Sequence, residues 1–166
     1  MSQFLGQRNF VTVRFIDINL ESSNKNGLVK VSKVYDNPIL EFPAEGLPKI
    51  RFTISVPSDY VVGTDIIVKI FWSTDGYNSG LVEWDVKFRA LKSGIDSINN
   101  IYTTYNCTQS TTVPNLLIDT GDNLVISGVS DINYIMTFVI ERKNDITNLY
   151  NGIVRVHMIR LEYKIK

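Results

Sequence analysis

The sequence has little of the chemistry that most catalytic and metal sites need. It contains one cysteine, Cys107, and one histidine, His157, which excludes a disulfide within the chain and a zinc site built from cysteine and histidine. A nucleophile activated by histidine would depend on His157, which lies inside an apolar strand pattern, and no G-x-S-x-G turn is present. The sequence therefore predicts a protein that is not an enzyme and has no cofactor.

An excess of either charge and a long apolar run are also missing. Lysine and arginine number 17, and aspartate and glutamate also number 17, so no overall field draws the chain to nucleic acid or to an anionic membrane. No apolar run approaches the ~20 residues of a membrane-spanning helix, and the first residues, MSQFLGQRNF, lack the features of a signal peptide. We expect neither nucleic acid nor membrane as a partner. With so little cysteine, a reducing compartment is the default expectation.

Alternation of apolar and polar residues is the strongest pattern present. In KIRFTISV, Ile50, Phe52, Ile54 and Val56 share one face, and the polar residues between them share the other. The segment GLVEWDVKFRA, residues 80–90, alternates in the same way. Period-two spacing of β-branched and aromatic residues is typical of half-buried strands. Further strands are predicted at Phe10–Leu20, Leu28–Tyr35, Asp65–Trp72, Ile101–Thr108, Leu116–Asp119, Asn123–Ile126, Tyr134–Arg142 and Gly152–Ile165.

Eight to ten strands without a helical pattern indicate an all-β fold. We expect a two-sheet antiparallel β-sandwich, most plausibly a jelly roll. An immunoglobulin-like sandwich is the alternative, although its usual Cys–Trp–Cys pattern is absent. Residues 9–166 would form a single domain, and residues 1–8 a flexible N-terminal arm. Only NDITNL, residues 144–149, could form a single helical turn.

Two strands are apolar on both faces, which predicts a covering layer or a bulge. In GIVRVHMIRLEYKIK the apolar residues change phase after Met158, as they would at a β-bulge. In DIIVKIFW, residues 65–72, both faces are apolar, and the second face could be covered by a loop or by a neighbouring subunit. Candidate subunit-interface residues lie opposite the expected core residues of these strands: Ile67, Phe71, Arg155 and His157.

Carboxylates in the turns and on one strand allow alternatives to a purely structural role. Asp59 and Asp65 flank Gly63 and are the candidates for a calcium site, but their spacing does not match an EF-hand, and aspartate commonly stabilises turns. Glu83 and Asp85 share a strand face at about 7 Å, within the range of a glycosidase pair. Because the basic residues 87 and 89 continue that face, a solvated mixed-charge strip is the favoured interpretation.

Tyrosines in the loops favour a shallow carbohydrate site as an alternative function. The segment IYTTYN contains Tyr102 and Tyr105, and TDGYNSG contains Tyr77 between polar residues. Aromatic faces beside aspartate and asparagine suit a glycan, although tyrosine-rich loops also form protein contacts. Tyr77, Tyr102 and Tyr105 are therefore the candidate glycan-binding residues.

The middle and the end of the chain resemble a recurrent module in structural proteins of tailed phages and related viruses. The pieces that carry the resemblance are FTISVPSDYVVGTDIIVKIFWS (52–73), GLVEWDVKF (80–88), TFVIERKND (137–145) and VRVHMIRLEY (154–163). The resemblance implies a jelly-roll domain, commonly trimeric, that decorates a capsid or forms part of a head fibre or tail fibre. It transfers no catalytic residue.

The sequence-based expectation is thus a viral structural protein in the virion, assembled in the host cytoplasm. Its expected partners are copies of itself, as a homotrimer, the major capsid protein or other virion proteins, and host surface glycans. A carbohydrate-binding β-sandwich module is the alternative.

Overall fold

The structure, a computed structural model, describes residues 7–21, 28–34, 36–76, 79–97, 101–111 and 113–166. Within these ranges no helix is long and apolar enough to cross a membrane. The helical structure described is a 3-10 turn at Phe15–Asp17. The strands, in chain order, are β1 Arg8–Thr12, β2 Asn19–Glu21, β3 Lys30–Val34, β4 Asn37–Phe42, β5 Lys49–Ser55, β6 Ile66–Thr74, β7 Leu81–Lys92, β8 Thr103–Ser110, β9 Ile118–Asp119, β10 Val125–Ile126, β11 Tyr134–Arg142 and β12 Val154–Lys164.

The strands form two antiparallel sheets. The seven-stranded sheet has the order β10-β6-β12-β4-β3, with β1 beside β12 and β9 beside β6. The five-stranded sheet has the order β2-β5-β11-β7-β8. Its central strand β11 therefore separates β5 from β7, although β11 comes after both in the chain. This order places residues from distant segments side by side on the sheet faces.

Aromatic side chains from both sheets meet in the core. Trp72 of the seven-stranded sheet and Trp84 of the five-stranded sheet are fully buried, with ring centres 6.3 Å apart. Phe42 packs edge-on against Trp84 at 5.2 Å, and Phe52 stacks on Phe138 at 5.2 Å. Large aromatic side chains dominate the energetics of such cores. The predicted two-sheet antiparallel β-sandwich is confirmed.

The predicted change of phase in the last strand is confirmed as a β-bulge. Val156 pairs with Trp72, but Met158 pairs with Phe71, so His157 is the additional residue in β12. Val156 before the bulge and Ile159 after it are both fully buried. One extra residue reverses which alternate positions face inward, and both apolar sets therefore reach the same core.

Two strand predictions were wrong at turn-like residues. The segment predicted as one strand, Phe10–Leu20, is broken by the 3-10 turn Phe15–Asp17. A strand was missed at Asn37–Phe42, where DNP suggested a turn only. Pro38 is compatible with this strand because it lies near the start of the strand, outside the segment that pairs with β12 from Leu40 to Phe42. Residues 144–149 form bends and turns and no helix.

Candidate functional site

The outward face of the five-stranded sheet carries polar side chains in rows across the strands. The first row runs Lys49–Glu141–Asp85–Asn106, and we call it the acidic row. The second row runs Asn19–Arg51–Val139–Lys87–Thr104. The third row runs Thr53–Thr137–Arg89, with Tyr102 beside Arg89. We call the second and third rows the cationic rows. The whole face is called the polar groove.

The centre of this face is buried and its margins are exposed. On the central strand β11, Thr137 is 7% exposed and Val139 is 3% exposed, although both point away from the core. On the neighbouring and edge strands, Thr53, Thr104 and Asn106 are exposed. Every strand of the described residues belongs to one of the two sheets, so no third layer of strands covers this face. The face therefore has a buried strip along β11 between exposed margins.

The acidic row holds two buried carboxylates in direct register. Glu141 and Asp85 are opposite each other on β11 and β7 and are 4% and 8% exposed. Like charges at such a position repel each other, and two lysines offset the repulsion. Lys49 Nζ lies 3.9 Å from Glu141 Oε2, and Lys143 Nζ lies 3.9 Å from Asp85 Oδ2.

The buried position of Asp85 changes its acidity. Burial raises the pKa of the Asp85 carboxyl above its usual value; Lys143 opposes this shift, and Glu83 and Glu141 add to it. The carboxyl is therefore easier to protonate than an exposed aspartate. Protonated or ionised, its oxygens can accept hydrogen bonds from a hydroxyl-rich ligand.

The cationic rows place three positive side chains around a small floor. Arg51 and Lys87 lie on opposite sides of Val139, two strand spacings or about 10 Å apart. Arg89 lies in the next row, and its guanidinium carbon is 4.5 Å from the centre of the Tyr102 ring. A hydroxyl pair, Thr53 and Thr137, completes the floor with Oγ1 atoms 3.3 Å apart. This part of the groove offers hydrogen-bond donors beside an aromatic ring.

The three candidate glycan-binding tyrosines do not form one site. Tyr102 belongs to the polar groove, but Tyr105 is in register with the inward residue Val86 and packs against the core. Its hydroxyl accepts a hydrogen bond from Ser127 N at 3.3 Å. Tyr77 lies outside the described residues. An odd spacing along a strand places two residues on opposite faces, which separates Tyr102 from Tyr105.

The four interface candidates lie on the outward face of the seven-stranded sheet. Phe71 is contacted by the Arg160 guanidinium at 5.1 Å, and Arg155 Nη1 donates to Asn115 Oδ1 at 3.2 Å. His157 Nε2 is 2.8 Å from Ser73 Oγ, and its pKa lies below the usual value because of burial and the charge of Arg155. Ile67 is only 5% exposed, so it offers little surface. Their role in an interface stays a prediction.

Asp59 and Asp65 occupy different surroundings. Asp59 accepts hydrogen bonds from the Tyr163 hydroxyl at 3.1 Å and from the Asn9 amide at 3.3 Å. Asp65 lines a surface pocket of about 440 Å³. The intervening turn is held by Tyr60, whose hydroxyl donates to Thr64 O and accepts from Val129 N. No group of three or more histidine, cysteine or acidic side chains arranged to hold a metal occurs among the described residues.

A buried arginine at one end of the sandwich was not predicted, although the alternation of β11 places it on the inward face with Phe138 and Ile140. Arg142 is fully buried on the inward face of β11. Its guanidinium donates to Phe42 O at 2.8 Å, to Gly152 O at 2.7 Å and to Tyr150 O. Burial lowers its pKa to about 10, so it is charged at neutral pH. Arg142 thus fixes the loops beside a pocket of about 560 Å³ that Glu45, Asp75, Asn144 and Asn151 line in part.

The sequence predicts only the part of the polar groove that lies on β7, as a mixed-charge strip. Glu83, Asp85, Lys87 and Arg89 were seen to share a face, but their neighbours Glu141 and Arg51 come from other strands. The sequence also shows the alternation within β5 and β11. It does not show the strand order, which brings the faces of these strands together.

No protein-family model and no curated protein sequence matches this chain. Solved structures do match its fold. One is the CBM22-2 xylan-binding domain from Paenibacillus barcinonensis Xyn10C, with a TM-score of 0.53 and 9% identity over 91% of this chain and 94% of that one. Another contains the CBM22-1 and GH10 modules of Clostridium thermocellum xylanase Xyn10B in complex with xylohexaose. It has a TM-score of 0.52 and 8% identity, and the match covers 93% of this chain and 28% of that one.

A bacteriophage CBA120 tailspike protein 4 domain also matches, at a TM-score of 0.39 and 11% identity over 93% of this chain and 19% of that chain. That likeness is too loose to support a viral role. The expectation of a capsid decoration or fibre protein is therefore wrong, because the solved structures that share the fold are mostly carbohydrate-binding modules. The strand patterns that suggested it are general to β-sandwiches. What stands is the fold: this chain is a jelly-roll β-sandwich.

Proposed function

We propose that this protein is a non-catalytic carbohydrate-binding module and that the polar groove is its glycan-binding surface. The observation that carries the proposal is the shape and chemistry of the groove on this fold. Its floor along β11 is buried, its margins are exposed, and hydrogen-bonding side chains line both sides. The fold is shared with a xylan-binding domain, which supports the proposal only as an analogy because one fold can carry many functions.

The residues of the groove would have distinct roles toward a sugar chain. Asn106 and Thr104, exposed on the edge strand β8, would exchange hydrogen bonds with sugar hydroxyls. Asp85 would accept hydrogen bonds from them at the acidic row. Tyr102 would present its ring to the C–H face of a sugar, in the orientation set by Arg89. A shallow open groove suits a chain that extends along the surface rather than a small enclosed ligand.

Binding to a polysaccharide panel tests the proposal directly. We expect saturable binding in isothermal titration or on a glycan array, reduced at least about tenfold by Tyr102→Ala, because an aromatic anchor of this size dominates a small contact. Thr104→Ala in the groove should weaken binding, whereas Thr12→Ala, an exposed strand threonine of the other sheet, should not. Silence across the whole panel would refute the proposed function.

We also propose, separately, that copies of this protein associate through the outward face of the seven-stranded sheet. Phe10, 52% exposed, and Phe71 both contact the Arg160 guanidinium, at 4.6 and 5.1 Å. An exposed aromatic beside a partly covered one is a common feature of subunit interfaces. Native mass spectrometry at micromolar concentration would show an oligomer that Phe10→Glu dissociates. A wild-type protein that stays monomeric would rule this out.

A further inference from the structure

We propose that the glycan bound in the polar groove is anionic and that its carboxylate group is held by the cationic rows. This inference rests on the proposed function, since it names the chemical class of the ligand at the same site. The ligand class is a polysaccharide that contains uronic acid. A neutral polysaccharide would leave the Lys87 ammonium without an anionic partner in the ligand.

The positions of three basic side chains are the first observation that favours an anionic ligand. Arg51 and Lys87 stand on either side of Val139 in one row, and Arg89 follows in the next row on the same side as Lys87. Successive rows on one face of a strand are about 7 Å apart. The three positive side chains therefore flank the buried residues Val139 and Thr137. A carboxylate there could accept charge-assisted hydrogen bonds from more than one of them.

The distribution of acidic groups is the second observation. Among the described residues, neither cationic row contains an aspartate or a glutamate. Two groove carboxylates stand in the acidic row, where Glu141 faces Lys49 and Asp85 faces Lys143, each at 3.9 Å. A third, Glu83, lies on β7 beyond the acidic row, further from the cationic rows. The groove is thus divided into an acidic row with its own lysines and two neighbouring rows whose charged side chains are all basic.

Lys87 is the third observation and the best place to test the idea. It is half-buried at the groove, and it makes no ion pair with any described residue. Its charge lowers the pKa of Asp85 in the adjacent row, but this is the last of five contributions to that pKa. The Lys87 ammonium is therefore available to an anionic group that arrives with a ligand.

The position of the apolar and hydroxyl groups makes a carboxylated sugar a better fit than a bare anion. Val139 and the Thr53–Thr137 hydroxyl pair lie on the floor between the charges. Tyr102 borders the same area with its ring under Arg89. A uronic acid has a carboxylate, hydroxyls and an apolar ring face, and their counterparts here are the basic side chains, the exposed Thr53 hydroxyl and the Tyr102 ring. A small inorganic anion would use only the charges.

The experiment compares carboxylated polysaccharides with their uncharged methyl esters. Binding of the full chain to polygalacturonate, alginate and hyaluronate is measured by titration calorimetry, beside the methyl esters of the same polymers. Xylan, mixed-linkage β-glucan and dextran sulfate complete the panel. We expect a carboxylated polymer to bind at least about tenfold more tightly than its ester, because a hydrogen bond to a charged group is worth more than one to a neutral group. Rising salt should weaken this binding.

The protein variants are Lys87→Gln, which removes the charge, and Lys33→Gln as a control. Lys33 is an exposed lysine of β3 on the other sheet. Lys87→Gln should lower affinity for the carboxylated polymer about tenfold, and Lys33→Gln should leave it unchanged. Circular dichroism verifies that both variants are folded, and Lys87→Arg should restore binding.

Each outcome decides the question. Equal affinity for a polymer and its ester, or binding confined to xylan or β-glucan, overturns the anionic assignment and leaves the proposed function standing. A preference for dextran sulfate alone overturns the carboxylate as the ligand group. If no polysaccharide binds at all, the proposed function fails, and this inference fails with it.

Discussion

The guanidinium of Arg89 lies over the ring of Tyr102, 4.5 Å from its centre, where β7 and the approach to β8 run side by side. The attraction between a cation and an aromatic face at this distance contributes about 0.5–1 kcal/mol of stability at an exposed site. The contact holds an aromatic ring and a positive charge together at one end of the polar groove. It is the closest connection in the structure between the aromatic and the basic side chains expected to meet a glycan.

Removal of the Arg89 charge should affect both stability and binding. We expect Arg89→Met, which keeps most of the side-chain length, to lower the free energy of unfolding by about 0.5–1 kcal/mol and to weaken glycan binding. Urea unfolding and titration calorimetry give the two values. Tyr102→Phe keeps the ring and is the control, so it should retain the stability of the wild type. A more stable Arg89→Met protein with unchanged binding would contradict this interpretation.

The buried Arg142 should be a large contributor to stability. Arg142→Met removes the donors to the carbonyl oxygens of Phe42, Tyr150 and Gly152, and each buried acceptor left unpaired costs about 1–3 kcal/mol. The substitution also removes a buried charge, and the desolvation penalty that is lost with this charge offsets part of the cost. We expect a net loss of about 2–5 kcal/mol in urea unfolding.

Arg14→Met is the matched control for Arg142, since the Arg14 side chain is 76% exposed. Its ion pair with Asp17 is a surface pair and should be worth less than about 1 kcal/mol. A loss at Arg142 no larger than the loss at Arg14 would show that the three carbonyls find other partners.

Ionised Asp85 should reduce stability at neutral pH. Its pKa in the folded protein is raised above the usual 3.8 by burial, so between these two values the folded state holds more protons than the unfolded state. Stability therefore falls as the pH rises from 3.8 through the folded pKa. In Asp85→Asn this decline should be missing, and the variant should gain stability relative to the wild type as the pH rises.

Urea unfolding across the acid range checks the pH prediction. Asp145→Asn is the control, because Asp145 also pairs with Lys143, at 3.4 Å, but its side chain is 68% exposed. That variant should keep the decline in stability with rising pH that Asp85 causes. If Asp85→Asn instead loses stability relative to the wild type as the pH rises, then the ion pair with Lys143 outweighs burial.

The turn that contains Asp59 and Asp65 should not tolerate a side chain at Gly128. A Cβ there would lie 1.8 Å from Thr64 O and 2.2 Å from the Tyr60 hydroxyl, and a backbone atom cannot move aside as a flexible side chain can. Gly128→Ala should cost about 1–3 kcal/mol or more, measured as a lower urea midpoint. Ser127→Ala, at the exposed neighbouring residue, should be nearly neutral. Equal stability of the two variants would disprove the tight packing.

How far the fold could be predicted varied from one segment to the next. The alternation in residues 49–55 and 81–92 predicted β5 and β7, because a half-buried strand must place apolar residues at every second position. The bulge at His157 was visible as a change of phase. Asn37–Phe42 was missed because its proline suggests a turn, and only the pairing with β3 shows that the strand starts there. The viral assignment failed because its motifs are strand patterns that many sandwiches share.

The candidate site was predictable only in fragments. The sequence by itself determined the strand faces, so it placed Asp85, Lys87 and Arg89 together on one face of β7. Only the tertiary structure decided that β11 lies between β5 and β7, which brings Arg51 opposite Lys87 and Glu141 opposite Asp85. It also decided that Arg142 is buried, since three carbonyls from separate loops must converge before a guanidinium can leave water. Local alternation follows from backbone geometry, but strand order depends on how the two apolar faces close over one core.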